Sequence, residues 1–185
     1  VGFGRLGSWN WGYEKHGVVP DMVILGKPMG NGHPIGAVVT TAEIGAAFDS
    51  GPEFFSSFGG NPVSCAAGEA VLNVLEEEGL KSNALDTGTY LKAAFQELSA
   101  RHNALADIRG DGLFLGVELL DSLGKPNTTL ARKLKNGLRD SHILIGTDGP
   151  YNNVLKIKPP LPFSRVNCDE LIGQMGRILE NLPDS

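Results

Sequence analysis

Asp21-Met22-Val23-Ile24-Leu25-Gly26 runs directly into Lys27-Pro28-Met29-Gly30-Asn31-Gly32-His33-Pro34. The first six residues are a short apolar run between Pro20 and Gly26, which predicts a buried strand. The next eight are broken by glycine and proline and predict a loop. A strand that ends in such a loop suits an open α/β sheet, where ligands collect beyond the carboxyl ends of strands. Lys27 stands at that end. A lysine partly desolvated there holds its proton less tightly and becomes a nucleophile or Schiff-base partner. Its position alone also fits a solvated surface lysine.

Downstream, Ile35 to Thr41 reads as a second strand, and Thr41 is placed to cap a helix through Phe48. Phe58-Gly59-Gly60-Asn61-Pro62 opens another helix, with Asn61 as N-cap and Pro62 as its first residue. Val63, Ala66, Ala67, Ala70, Val71, Val74 and Leu75 follow on one face, Cys65 reads as a small core residue beside them, and Gly79 ends the helix. Ser56 and Ser57 precede the helix N-terminus, where free N–H groups and the helix dipole favour an anion such as phosphate. An ordinary capped turn is the other reading. A lysine together with a phosphate cradle suggests pyridoxal phosphate, although neither signal is specific alone.

The second half alternates differently. A helix is predicted over 80–101, with Ala84, Gly88, Leu91, Phe95 and Leu98 on one stripe. Then come a strand over Leu113 to Leu120, a helix from Thr128 to Asp140, strands at His142 to Gly146 and Asn153 to Lys158, and a helix over 168–182 ending near Leu182. In the last strand Leu155 and Ile157 alternate with Lys156 and Lys158, and the lysines could receive an anionic group or simply face solvent. Residues 1–75 are thus expected to end one domain, and 76–185 to hold linking helices and a small α+β domain.

The chain has 185 residues and 19.6 kDa, with 16 Lys+Arg against 21 Asp+Glu, a net charge of −5. That balance argues against nucleic acid as a partner, because phosphate backbones need a basic face. Hydrophobic residues at 41% supply a core and exclude a disordered chain. No apolar run approaches the ~20 residues of a membrane span, and no signal peptide is visible. Two cysteines form no disulfide framework, so a cytoplasmic location is expected. Fourteen of the 25 glycines fall in the first 68 residues, marking that third as the site region. Gly2-Phe3-Gly4-Arg5-Leu6-Gly7 matches a dinucleotide fingerprint literally, but no strand precedes it, so that reading is rejected. The four histidines and two cysteines lack metal-ligand spacing, and His33 reads as loop packing or as facing a ligand. Opening at Val1, the chain is expected to be processed or part of something longer.

The ordered set of Gly2 to Gly7, Pro20-Asp21, Leu25-Gly26-Lys27-Pro28, Gly30-Asn31-Gly32, Phe58-Gly59-Gly60-Asn61-Pro62 and Arg109-Gly110-Asp111-Gly112-Leu113 resembles the class-III aminotransferases, pyridoxal-phosphate enzymes of fold type I. The resemblance implies an α/β fold: the C-terminal part of the large cofactor-binding domain, followed by a small α+β domain. It implies that Lys27 forms the internal aldimine and shuttles the substrate proton. It implies that Ser57, with Phe58 and Gly59, binds cofactor phosphate across a homodimer interface, and that Gly60 and Asn61 shape that turn. The family's ring-nitrogen aspartate, its other phosphate loop and its ring-stacking aromatic would all lie before Val1. Lys156 stands where many members carry an arginine for the substrate carboxylate, and lysine is a point charge where arginine is a fork. The glycine loop and Asp148-Gly149-Pro150 look like the branch holding alanine–glyoxylate-aminotransferase-like proteins and phospholyases. The implied function is amino transfer from a small-molecule amine to an oxo acid. Phosphate elimination from an amino-alcohol phosphate such as phosphoethanolamine is the alternative on the same scaffold. A non-catalytic segment is the third reading.

Overall fold

The computed structural model describes residues 2–181. They form two compact units: residues 2–4 with Trp9–Leu80, and Arg5–Ser8 with residues 81–181.

In the first unit, β1 (Met22–Gly26) and β2 (Gly36–Thr40) pair antiparallel, from Met22↔Thr40 to Gly26↔Gly36. A short 3-10 turn, Lys27–Gly30, leaves the end of β1. Helix α1 (Ala42–Asp49) starts at Thr41, whose hydroxyl accepts from the Ile44 amide. Helix α2 (Pro62–Glu77) starts at Asn61, as its sequence predicts. Gly79, just beyond it, adopts φ +60°. Residues 2–12 fold back through a Phe3–Trp11 bridge, with the two rings edge to face at 5.2 Å.

Two expectations fail here, for one reason. β1 is not buried: Ile24 is 83% exposed and its register partner Val38 is 61% exposed. Val23 and Leu25, on the opposite face of β1, are half-buried. An apolar run on both faces predicts cover on both, and the described residues cover one. Likewise α2 buries only Gly68, while Val63, Leu72 and Val74 stay exposed. Cys65 is exposed rather than a core residue.

The second unit is closed. Helix α3 (Leu80–Arg101) precedes a four-stranded antiparallel sheet of order β3-β4-β6-β5. The strands are β3 (Leu105–Asp111), β4 (Phe114–Leu119), β5 (Gly146–Asp148) and β6 (Val154–Ile157). Helices α4 (Thr128–Asp140) and α5 (Arg165–Glu180) complete the layer. The predicted stripe of α3 is fully buried at Ala84, Leu91, Phe95 and Leu98. It shares a core with Leu115, Val117, Leu119, Leu134, Leu138, Leu155 and Met175.

The strand inventory differs from expectation. β3 was not expected, because Ala106-Asp107-Ile108-Arg109-Gly110-Asp111 offers little apolar alternation; its order comes from pairing with β4. Residues 142–145 are not a strand. His142 turns left-handed at φ +63°, and the Ile143 amide returns to the Leu138 carbonyl to close α4. α5 begins at Arg165, earlier than expected, because Ser164 and Asn167 form a capping box. Leu182 lies outside the described residues.

Contact between backbones fixes α3 against the sheet. A Cβ on Gly88 would sit 2.1 Å from the Gly112 carbonyl oxygen. Gly112 itself has φ +52°, and its own Cβ would sit 2.3 Å from the Arg5 carbonyl oxygen. Arg5 closes this corner. Its carbonyl accepts from the Leu113 amide at 3.0 Å, and its guanidinium donates to the carbonyls of Leu113 and Pro159.

Two alanine substitutions should move stability in opposite directions. Gly88→Ala forces backbone apart and should cost about 3 kcal/mol or more. Gly173→Ala, on an exposed face of α5 with nothing within 4 Å of the new methyl, should gain about 0.5–1 kcal/mol. Denaturant midpoints at constant slope would show both. A neutral Gly88→Ala would remove the close approach as a constraint.

Candidate active site

Lys27 sits where β1 stops. Gly26 is fully extended, and Lys27 then adopts φ +35° as the first residue of the 3-10 turn. Asn31 leaves that turn at φ +44°. Left-handed backbone is uncommon for residues with a Cβ, and such positions collect at functional sites. The lysine side chain is exposed. No described residue pairs with its ammonium. The partial desolvation expected of it is therefore not supplied by the described residues. Its neighbours Gly26 and Pro28 line a groove with Phe3, Trp11 and Leu25.

The turn before α2 is organised by Asn61. Its Oδ1 accepts from the Ser64 amide at 2.9 Å, capping the helix. Its Nδ2 donates to the Phe58 carbonyl at 2.6 Å and to the Ser64 hydroxyl at 3.0 Å. The Gly59 amide donates to the Ser56 hydroxyl at 3.0 Å. Gly60 takes φ +70° in open space, so backbone conformation and not crowding asks for glycine there. Ser57 is exposed and finds no partner among the described residues. A hydroxyl and free amides at a helix N-terminus can hold a phosphate.

A cleft joins the two loops. His33 and Ile35 form one side; Phe58, Gly59, Ser64 and Gly68 form the other. His33 Nε2 lies 2.8 Å from Ser64 Oγ across it. Thus the structure brings together His33, Phe58 and Gly59, whereas Lys27 and Ser57 do not line this cleft. The sequence reading missed Ser64. Its only signal was the Asn61-x-x-Ser64 spacing, which puts the serine amide in reach of the cap.

Lys156 lies in the second unit, on the solvent face of β6. Its ammonium pairs with Asp148 on β5. Leu155 and Ile157 point the other way, into the core, as predicted. The same sheet face carries Arg109, held by Asp107 at 2.6 Å and Glu118 at 2.7 Å. Those two carboxylates push the guanidinium pKa further up. The hydrogen bond from Lys156, with a second from the Gly149 amide, holds the Asp148 carboxyl below its ordinary pKa.

Among the described residues no helix is long and apolar enough to cross a membrane. Nor do three His, Cys, Asp or Glu side chains among them converge to hold a metal.

The Asp148 pair sets a pH dependence. A carboxyl whose folded pKa is depressed stabilises the fold fully above its ordinary value of 3.8, and that contribution fades as pH falls through the folded value. Lys156→Met should raise the Asp148 titration midpoint toward 3.8, read by NMR of the carboxyl carbon. An unmoved midpoint would show that the lysine does not set it.

The family model described as aminotransferase class-III matches residues 1–179. The chain is 47% identical over 176 residues to alanine–glyoxylate aminotransferase 2-like of Drosophila melanogaster, covering 93% of this chain and 36% of that protein. It is 40% identical over 184 residues to ethanolamine-phosphate phospho-lyase homolog 1 of Caenorhabditis elegans, covering 97% of this chain and 39% of that one. A solved phospholyase from Arthrobacter, in complex with phosphoethanolamine, superposes with a TM-score of 0.95 at 44% identity, covering 98% of this chain and 44% of that chain. The chain spans less than half the length of these relatives. Its mixed α/β architecture is that of part of a fold type I enzyme. The chain belongs to the class-III aminotransferase family.

Proposed function

We propose that this chain supplies the lysine and the phosphate turn of a pyridoxal-phosphate-dependent aminotransferase, which moves an amino group from a small-molecule amine to an oxo acid. One observation carries the reading: a primary amine unpaired among the described residues, on left-handed backbone, at the end of a strand. The donor set fits the cofactor. Lys27 offers an amine to an aldehyde carbon. Across a homodimer interface, Ser57 would offer its hydroxyl, and Phe58 and Gly59 the backbone of the turn before α2, to a phosphate dianion. Bound there, pyridoxal phosphate supplies an electron sink that makes the substrate's Cα–H bond acidic.

This chain's own groups do the rest. Lys27 Nζ anchors the cofactor's aldehyde carbon. With the cofactor bound, Lys27 Nζ would be the group placed to accept the substrate's Cα proton and hand it on. Gly60 and Asn61 keep the turn before α2 in the shape that presents its donors. Lys156, in the second unit, would offer a point charge to an anionic group in place of Asp148. Two exposed features support a working homodimer: Ile24 and Val38 on the ribbon, and Phe54, Phe55 and Phe58 in the turn. Two free cysteines support a cytoplasmic location.

The phospholyase reading is favoured by one specific observation, the 0.95 superposition on the Arthrobacter enzyme, together with lysine at position 156. In that reading the same bound cofactor would support loss of phosphate from the substrate in place of amino transfer. The third reading, a segment with no catalysis of its own, draws on the span of less than half of each relative.

Borohydride reduction of the full-length gene product with pyridoxal phosphate, followed by peptide mass analysis, should place a cofactor-sized adduct on Lys27. Lys27→Ala should remove the adduct and lower turnover by at least about a hundredfold. Pyridoxamine phosphate accumulating with an amino acid would indicate amino transfer. Inorganic phosphate released from phosphoethanolamine would indicate elimination. A folded full-length protein without an adduct on Lys27 would overturn both enzyme readings.

A further inference from the structure

Lys27 at φ +35° and Asn31 at φ +44° belong to one loop, between β1 and β2. Left-handed backbone at a residue with a Cβ persists only where the surroundings over-determine it. Three sets of contacts do so here. The loop is closed at its base, where Gly26 and Gly36 pair. It is knitted internally: the Asn31 amide donates to the Pro28 carbonyl at 3.2 Å, and the His33 amide to the Gly30 carbonyl at 3.0 Å. Gly30 is buried inside it, and a Cβ there would stand 2.6 Å from Ile35 Cγ2. The third set ties the loop to one face of α2. Gly68 leaves room for Ile35 Cδ1 and Met29 Cε, 3.5 and 3.9 Å from where its own Cβ would stand. One helical turn earlier, His33 Nε2 meets Ser64 Oγ at 2.8 Å. Ser64 Oγ also accepts from Asn61 Nδ2 at 3.0 Å. A hydroxyl has one proton and two lone pairs, so Ser64 can still donate to a neutral His33 or accept from a protonated one. Among the described residues this is the one side-chain hydrogen bond between the loop and the helix.

The two ties to α2 differ in kind. Apolar contact is non-directional, and a methionine side chain adapts to a shift. A hydrogen bond has a direction, so His33 and Ser64 set the register of the loop on the helix. We propose that His33, held by Ser64, is a positioning residue for Lys27: it fixes the 27–35 loop against α2, and with it the direction in which the lysine amine leaves the end of β1. His33 acts through the backbone of its loop and not on the amine. The placement concerns Lys27 alone and not the turn before α2. The inference rests on the pyridoxal-phosphate reading for what Lys27 meets, whereas the tie is a property of the protein without it.

Two measurements on the full-length protein test this. The first is made without cofactor. Ser64→Ala alters only α2, yet it should quicken hydrogen exchange at the Asn31 amide about three- to tenfold, the range expected for losing one hydrogen bond. His33→Ala should quicken it as much, and the double variant no further, because one tie can be cut only once. The second follows the borohydride-trapped adduct of pyridoxal phosphate on Lys27. It should form more slowly in both single variants by a similar factor, and turnover should fall with it while the KM for the amine stays within about twofold. His33→Gln and Ser64→Thr, which keep a polar group at similar reach, should restore exchange and adduct formation to within about twofold of the natural protein. Exchange at Asn31 that ignores Ser64 would overturn the proposal. So would effects that add in the double variant, or an adduct that forms at the natural rate once the loop has loosened. A natural protein with no adduct on Lys27 would sink the cofactor reading instead, and the exchange result would still judge the tie.

Discussion

The second unit depends on two side chains that are not there. Gly88 and Gly112 let a helix backbone touch a hairpin turn, with the carbonyl of Gly112 standing where a methyl on Gly88 would be. Every layer behind that contact is set by it. With α3 this close, Leu91, Phe95 and Leu98 pack in one core with Leu115, Val117, Leu155 and Ile157 of β4 and β6. The 5–8 segment is drawn in at the same corner, because the Arg5 carbonyl sits against Gly112 and its guanidinium spans two carbonyls. That guanidinium is half-buried, and burial lowers its pKa. Carbonyl dipoles, and not a carboxylate, are its partners in the structure.

The first unit follows a different logic. Its elements are held by local caps and turns, and its apolar residues stand exposed on β1, β2 and α2. What the sequence revealed follows this division. Thr41, Asn61 and the Leu91, Phe95, Leu98 stripe were legible because caps and helical periods are written within a few residues. β3 was not legible, because Asp107, Arg109 and Asp111 carry no apolar signal and the strand exists through its partner. The exposure of Ile24 and Cys65 was not legible either, since a run of sequence does not say what lies over it. The end of β1 before Lys27 was readable from punctuation alone, but the left-handed backbone of that lysine was not. Ser64 was hidden because a serine in the first turn of a helix looks like any other.

The charged face of the sheet separates two kinds of cation. Arg109 is gripped by two carboxylates and lies across the floor left open by Gly116. Lys156 has one counter-ion, offered from a strand of three residues at the edge of the sheet. A single exposed pair of this kind is weak. Arg109 is therefore a fixture of the fold, whereas Lys156 can exchange Asp148 for another anion at little cost.

The two cysteines divide by the same line as the two units. Cys168 is sealed in the core, and burial pushes its thiol up to about 11. Cys65 is exposed and adjoins Ser64 at the start of α2, on the wall of the cleft. Thiolate is the reactive form, so an alkylating dye added to the folded protein meets one sulfur and not the other. The chain thus carries its own single-site handle, one residue from the junction between its two site loops, and a fluorophore there would report on that junction without any engineered residue.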